Sequence, residues 1–101
     1  MNPAQPAKPA EQLRVGGAGV AWRETAGEIV VLDLKASVYF GLNGTAASLW
    51  RRLAKSASRA DLIEVLQSLG AEPVRASHDV DEFLVDLGRH GLLGSETAAV
   101  S

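Results

Sequence analysis

A chain of 101 residues with 12 acidic and 10 basic side chains, a formal net charge of -2 and no cysteine has room for one domain with one modest core. The charge excludes a long-range pull towards nucleic acid or an anionic membrane, and the missing thiols exclude disulfides, thiolate metal sites and a cysteine nucleophile together. Apolar residues at 47% against 22% charged are the usage of a globular chain. The first segment, "MNPAQPAKPAEQ", has no apolar stretch of the kind a signal peptide needs, and no run in the chain approaches the roughly 18 apolar residues of a membrane span. The expectation is a cytoplasmic protein without membrane contact. Pro3, Pro6 and Pro9 make residues 1–12 an extended, disordered tail. The folded domain is expected over 13–94, with a second tail over 95–101.

The run "LRVGGAGVAWR", 13–23, holds three glycines in four positions, so its start is expected to be loose, with a short strand from Gly19 to Arg23. "GEIVVLDL", 27–34, is an Ile/Val/Leu run between turn residues and predicts a second strand; "SVYFGL", 37–42, predicts a third. Connections this short imply an antiparallel meander. After Asn43 the period becomes helical: Ala46, Leu49, Trp50 and Leu53 stand at i, i+3, i+4 and i+7, as do Leu62, Val65, Leu66 and Leu69, and then Val80, Phe83, Leu84 and Leu87. Asn43, Ser58 and either Ser77 or Asp79 are placed as N-caps, Asp61 follows Ser58 at capping-box spacing, and Gly70 and Gly91 suit helix ends. The fold class is α+β: a three-stranded antiparallel sheet followed by three helices, winged-helix-like.

Chemistry-bearing residues are few. His78, Asp81 and Glu82 share a helical face that could ligate a metal, but an acidic first turn complementing the helix dipole explains them without one. His90 beside Gly91 suits a helix end. With two histidines in total, no serine finds the setting of a catalytic triad. "GGAG" at 16–19 is neither a P-loop nor a dinucleotide fingerprint, and "NGT" at 43–45 is read as a helix cap rather than a glycosylation acceptor. The reading is therefore no enzyme, no metal and no cofactor. A sheet with three helices also suits a winged-helix DNA-binding regulator, which is the alternative. Its third helix, however, carries Asp79, Asp81, Glu82 and Asp86 against Arg89 and His90 and would repel phosphate, while Arg51, Arg52 and Lys55 on the first helix read as a solvated basic face.

The meander leaves an apolar edge strand, a pairing hazard unless a partner takes it, and adding a peptide strand to such an edge is an established recognition mode. At this point "GEIVVLDLKASVYFGLNGTAASLW", "SRADLIEVL" and "DVDEFLVDLGRHGLL" resemble the PqqD-like proteins, the peptide-recognition elements of ribosomal peptide biosynthesis. "VYFGLN" and the stand-alone size look most like the leader-binding proteins of lasso-peptide systems. The resemblance implies a non-catalytic domain that binds the leader of a precursor peptide as an added strand, between the third strand and the third helix. It further implies presentation of that precursor to a separate cysteine protease, or, in a variant of the same reading, to a radical-type maturation enzyme.

The residues give the site a provisional shape. Val38, Phe40 and Leu42 share one face of the third strand and Ser37, Tyr39 and Gly41 the other. On the third helix Asp79, Glu82, Asp86 and His90 form a polar flank, whereas Asp81, Val85 and Gly88 form a flank holding one valine off the core stripe and one helix-interior glycine. The latter is expected to be the groove wall. Val38, Tyr39, Phe40, Gly41, Asp81, Leu84, Val85 and Gly88 are thus the expected peptide-binding residues.

Overall fold

The computed structural model describes residues 12–16 and 19–95; the expectations for 1–11 and 96–101 lie outside the described residues. In chain order the elements are β1 (Leu13–Val15), β2 (Val20–Thr25), β3 (Glu28–Asp33), β4 (Val38–Leu42), α1 (Gly44–Leu53), α2 (Arg59–Ser68), α3 (Pro73–Arg89) and β5 (Leu93–Ser95). The fold is α+β. β2, β3 and β4 form the expected antiparallel meander in that spatial order. Ala26 and Gly27 turn between β2 and β3 with φ of 50° and 80°, the hand that matches strand twist in a two-residue hairpin. Between β3 and β4 the Asp33 carboxylate accepts hydrogen bonds from the amides of Lys35 (3.1 Å) and Ala36 (3.2 Å), closing the second turn with a side chain in place of a backbone partner.

Register decides which residues meet the helices, because side chains opposite one another in a ladder share a face. Trp22, Val31 and Phe40 form one cross-strand row, and Glu24, Ile29 and Leu42 the next. Ile29 and Val31 are wholly buried beneath α1, joining Trp50, Leu53, Leu62 and Val80 in one core. The opposite face shows Leu32 and Tyr39 to solvent.

Two short strands were not legible in the sequence. Residues 13–15, expected to be loose, form β1 and pair antiparallel with β5, and Leu13 exchanges two backbone hydrogen bonds with Ala57, of 2.7 and 2.9 Å. The β1–β5 pair is thereby tied to the turn between α1 and α2 through Leu13. Strands of three residues offer too few positions for a period to show. Ser95, expected to begin a tail, lies in β5.

α2 and α3 both end in Schellman geometry. Gly70 and Gly91, at φ of 104° and 69°, donate to Gln67 and Gly88, and the following Ala71 and Leu92 reach back to Leu66 and Leu87. Ser58 forms the full capping box: its hydroxyl accepts from the Asp61 amide at 3.1 Å while Asp61 accepts from the Ser58 amide at 3.0 Å. Ser58→Ala should therefore cost about 1 kcal/mol, read as a lowered urea midpoint at unchanged m-value. An unmoved midpoint would mean that the box adds nothing to the stability of α2.

The other caps need correction. Asn43 occupies the N-cap of α1 with extended backbone, but its side chain makes no cap hydrogen bond. α3 starts at Pro73, with the proline in its first turn and Glu72 as N-cap, rather than at Ser77 or Asp79. The fixed φ of proline suits the first helical position, where no amide is needed. His78 to Glu82 consequently stand beyond the first turn, where the helix dipole has faded, and their acidity needs another reason.

For Asp81 that reason is a clamp between helices. Arg59 of α2 donates from Nε to Asp81 Oδ1 at 2.7 Å, and from Nη2 to Oδ2 at 3.0 Å and to the Ser77 hydroxyl at 2.7 Å. The Arg59 hydrogen bond holds the Asp81 carboxyl below its ordinary 3.8. Such a group stabilises the fold above its unfolded pKa and loses that contribution as pH falls through the lowered folded value. The stability gap between the parent and Arg59→Gln should thus be full at neutral pH and close as urea midpoints are followed down to about pH 2. A gap that stays constant over that range would assign Arg59 some role other than its pairing with Asp81.

A candidate peptide groove between β4 and α3

β4 is paired on one side by β3, and among the described residues no strand covers its other side. A row of backbone amides and carbonyls faces outward there, next to α3. Between this edge and the helix lies a recess of about 350 Å³. Phe40 and Leu42 of β4 and Phe83 and Leu87 of α3 form its apolar walls, Trp50 of α1 lies against it, and Asp86 and His90 stand among its lining residues. The His90 ring packs on Phe40 with centroids 4.7 Å apart and planes tilted by 54°.

The recess contains an anomaly. Trp50 is completely buried, and its indole Nε1 finds no hydrogen-bond partner. Buried polar atoms are almost always paired, since leaving one unpaired costs about 1–3 kcal/mol. The other neighbour of this ring is Trp22, edge-on with centroids 5.9 Å apart. The unpaired N–H is sealed in the packed core rather than open to solvent.

The structure brings together only part of the expected site. Phe40 lines the recess, Val38 shares its face and is half-exposed, and Tyr39, on the opposite face, is 70% exposed. Gly41 also belongs to that opposite face, across from Val30. Leu84 is half-buried against the core. Asp81 is turned to α2 by Arg59. Val85 is 54% exposed and shares a shallow outward depression with His78, Glu82 and Arg89. A Cβ at Gly88 would meet nothing. At about 100° per residue, Asp81, Val85 and Gly88 stand on the side of α3 turned away from β4. The wall expected from them is formed instead by Phe83, Asp86, Leu87 and His90. An off-stripe valine was the misleading signal, because single exposed valines need no explanation.

His78, Asp79 and Glu82 bring ligand atoms within 4.8 Å of one another, but on an exposed helix face, with His78 against Glu82 and Asp79 against Arg75 at 3.4 Å each. At the β2 edge of the sheet, on the helix side, Arg51 binds Glu24 at 2.7 Å and holds its carboxyl below the usual range through that hydrogen bond. No helix among the described residues is long and apolar enough to cross a membrane.

Comparison with known proteins adds three findings. The family model for PqqD, coenzyme PQQ synthesis protein D, matches residues 28–93. The structure of TbiB1 in complex with the TbiA(beta) leader peptide superposes with a TM-score of 0.73 at 21% identity, over 79% of this chain and 93% of that one, a likeness of fold. A lasso peptide synthetase B1 complexed with the leader peptide is similar at 28% identity, with a TM-score of 0.72 over 81% of this chain and 96% of that one. No curated protein shows significant similarity to the sequence.

Proposed function

We propose, from the premise that this chain belongs to the PqqD family, that it is a non-catalytic recognition protein that binds the leader of a ribosomally made precursor peptide as an added strand on β4. The leader lies in the groove against α3, and the precursor is presented to a processing protease on a separate chain. The observation that carries the proposal is the open edge of β4 beside an apolar recess, in a chain similar to proteins solved with leader peptides.

The chemistry of the edge supports this reading. An added strand satisfies the outward amides and carbonyls of β4 whatever its sequence, which supplies affinity, while alternate side chains enter the recess and supply specificity. On this reading Val38, Tyr39, Phe40 and Gly41 provide the backbone template, and Phe83, Asp86, Leu87 and His90 provide the opposite wall. Burying one large apolar side chain of the leader over Phe40 contributes about 1.5–3 kcal/mol. On this reading the cutting step belongs to the partner. A DNA-reading role asks for cations on α3, where Asp79, Asp81, Glu82 and Asp86 would instead repel phosphate.

The test is a search of the surrounding genes for a short precursor and calorimetric titration with its synthetic leader, followed by amide hydrogen exchange on the complex. Protection should rise in β4, at amides that exchange freely in the unbound protein. Tight binding with no gain in β4 protection would refute strand addition, and absence of binding would refute leader recognition.

A further inference from the structure

We propose that the outer edge of β2 is a second strand-accepting surface, which takes an extended segment with a large apolar side chain beside Asp or Glu from the enzyme that receives the precursor. The assignment to that enzyme rests on the leader-binding reading above; the edge and its chemistry stand apart from it. Among the described residues β2 is paired by β3 alone. The Leu34 amide donates to the Gly19 carbonyl at 2.7 Å. From that pair the antiparallel ladder alternates, so the amides and carbonyls of Val20, Trp22 and Glu24 point away from β3. None of them has a backbone partner among the described residues. Free donors and acceptors at alternate positions are what an added strand satisfies.

The side chains beside this edge define what the strand carries. Trp22 stands in one row with the buried Val31 yet is 41% exposed. It borders a depression of about 430 Å³ whose other lining residues are Glu24, Arg51, Arg52, Ala54 and Lys55. A single exposed tryptophan would need no explanation. This one joins an open strand edge to a depression, the setting in which tryptophan anchors a partner. Arg51 is held by Glu24 at 2.7 Å, and Arg52 by the Ser56 carbonyl at 2.7 Å and Asp61 at 3.4 Å. Lys55 is exposed and has no carboxylate partner among the described residues. The depression thus sets three cations against the one carboxylate of Glu24. A strand lying on β2 takes water from these cations, which an incoming carboxylate offsets and an incoming cation aggravates.

An enzyme that receives a leader-bound precursor has to hold this domain without displacing the leader from β4. Strands added outside β2 and β4 stand about 19 Å apart, four interstrand spacings across the sheet, so neither excludes the other. Charge keeps the two edges distinct. The recess beside β4 is lined by Asp86 and by no lysine or arginine, so an acidic segment is turned away there and accepted at β2.

A displayed library of random peptides of about twelve residues, long enough to run past β2 at both ends, reads the two edges separately. It is selected on the parent and sorted by binding to Phe40→Asp and to Trp22→Ser. One pool should keep its binding to Phe40→Asp, lose about tenfold or more on Trp22→Ser, and carry Asp or Glu at a fixed spacing from a large apolar residue. Lys55→Glu alters an exposed side chain and should melt as the parent does. It should weaken the same pool at least about twofold, and selection on it should exchange the acid for Lys or Arg. Amide exchange with one peptide of this pool should gain protection at Trp22 and Glu24 and none in β4, and a saturating Phe40-dependent peptide should leave its affinity unchanged. Absence of a Trp22-dependent pool, a pool without the acid, or an acid preference that survives Lys55→Glu overturns the inference and leaves the leader groove standing. Absence of a Phe40-dependent pool overturns the leader groove, and with it the assignment to the receiving enzyme. A parent that sediments as a dimer, and as a monomer with Trp22→Ser, gives the edge to a second copy and overturns the inference as well.

Discussion

Trp50→Ala should remove about 3–5 kcal/mol of folding free energy, the cost of truncating a large buried aromatic, from a total of roughly 5–15 kcal/mol for a domain of this size. Trp50 is wholly buried and among the largest side chains in the core. It meets the sheet through Trp22 at 5.9 Å and packs in one cluster with Ile29, Val31 and Leu53. Removing it opens a cavity between α1 and β3 that a three-stranded sheet and a ten-residue helix have little freedom to close. Trp50→Phe should be far milder, at about 1 kcal/mol, because most of the ring volume stays and the lost N–H had no partner. Urea unfolding of the two variants measures the difference. If Trp50→Ala shifts the midpoint no more than Trp50→Phe, α1 does not pack on the sheet as described.

The packing around Trp50 also marks how far the fold is legible in the sequence. Helices α1 and α2 are readable because each repeats an apolar position every three or four residues and because Ser58 and Asp61 write the start of α2 in chemistry that acts locally. The strands of the meander are readable from apolar runs set between turn residues. The start of α3 is misplaced by several residues because its first turn depends on Pro73 and adds only the small Ala76 to the apolar stripe. β1 and β5 escape because their pairing joins residues some eighty positions apart, and nothing in a three-residue segment announces a distant partner. The groove wall escapes for a related reason. The sequence of α3 defines its faces, but which face turns to β4 is set by the clamp of Arg59 on Asp81 and by the burial of Ala76, Val80 and Leu87. Both arise only when the helices are packed.

That rotation of α3 makes the largest expected effect on binding a comparison between two charge insertions. Phe40→Asp places a carboxylate in the recess facing Asp86 and Leu87, where an incoming strand would seal it from water beside a second carboxylate. The lost apolar contact contributes about 1.5–3 kcal/mol and the unpaired charge adds to it, so leader affinity should fall by about a hundredfold or more. Phe40 is only half-buried, on an edge strand, so a thermal melt should still report a cooperative fold. Val85→Glu inserts the same charge on the outward side of α3, where Val85 is 54% exposed and Asp81 is already held by Arg59. Stability there should change by less than about 0.5 kcal/mol, and leader affinity should stay within about twofold. Both variants add one negative charge to the same small domain, so a general electrostatic penalty would lower both affinities alike, whereas a groove between β4 and α3 separates them. Should Val85→Glu abolish leader binding while Phe40→Asp preserves it, the peptide lies in the shallow depression of His78, Glu82 and Arg89, and β4 is not its template.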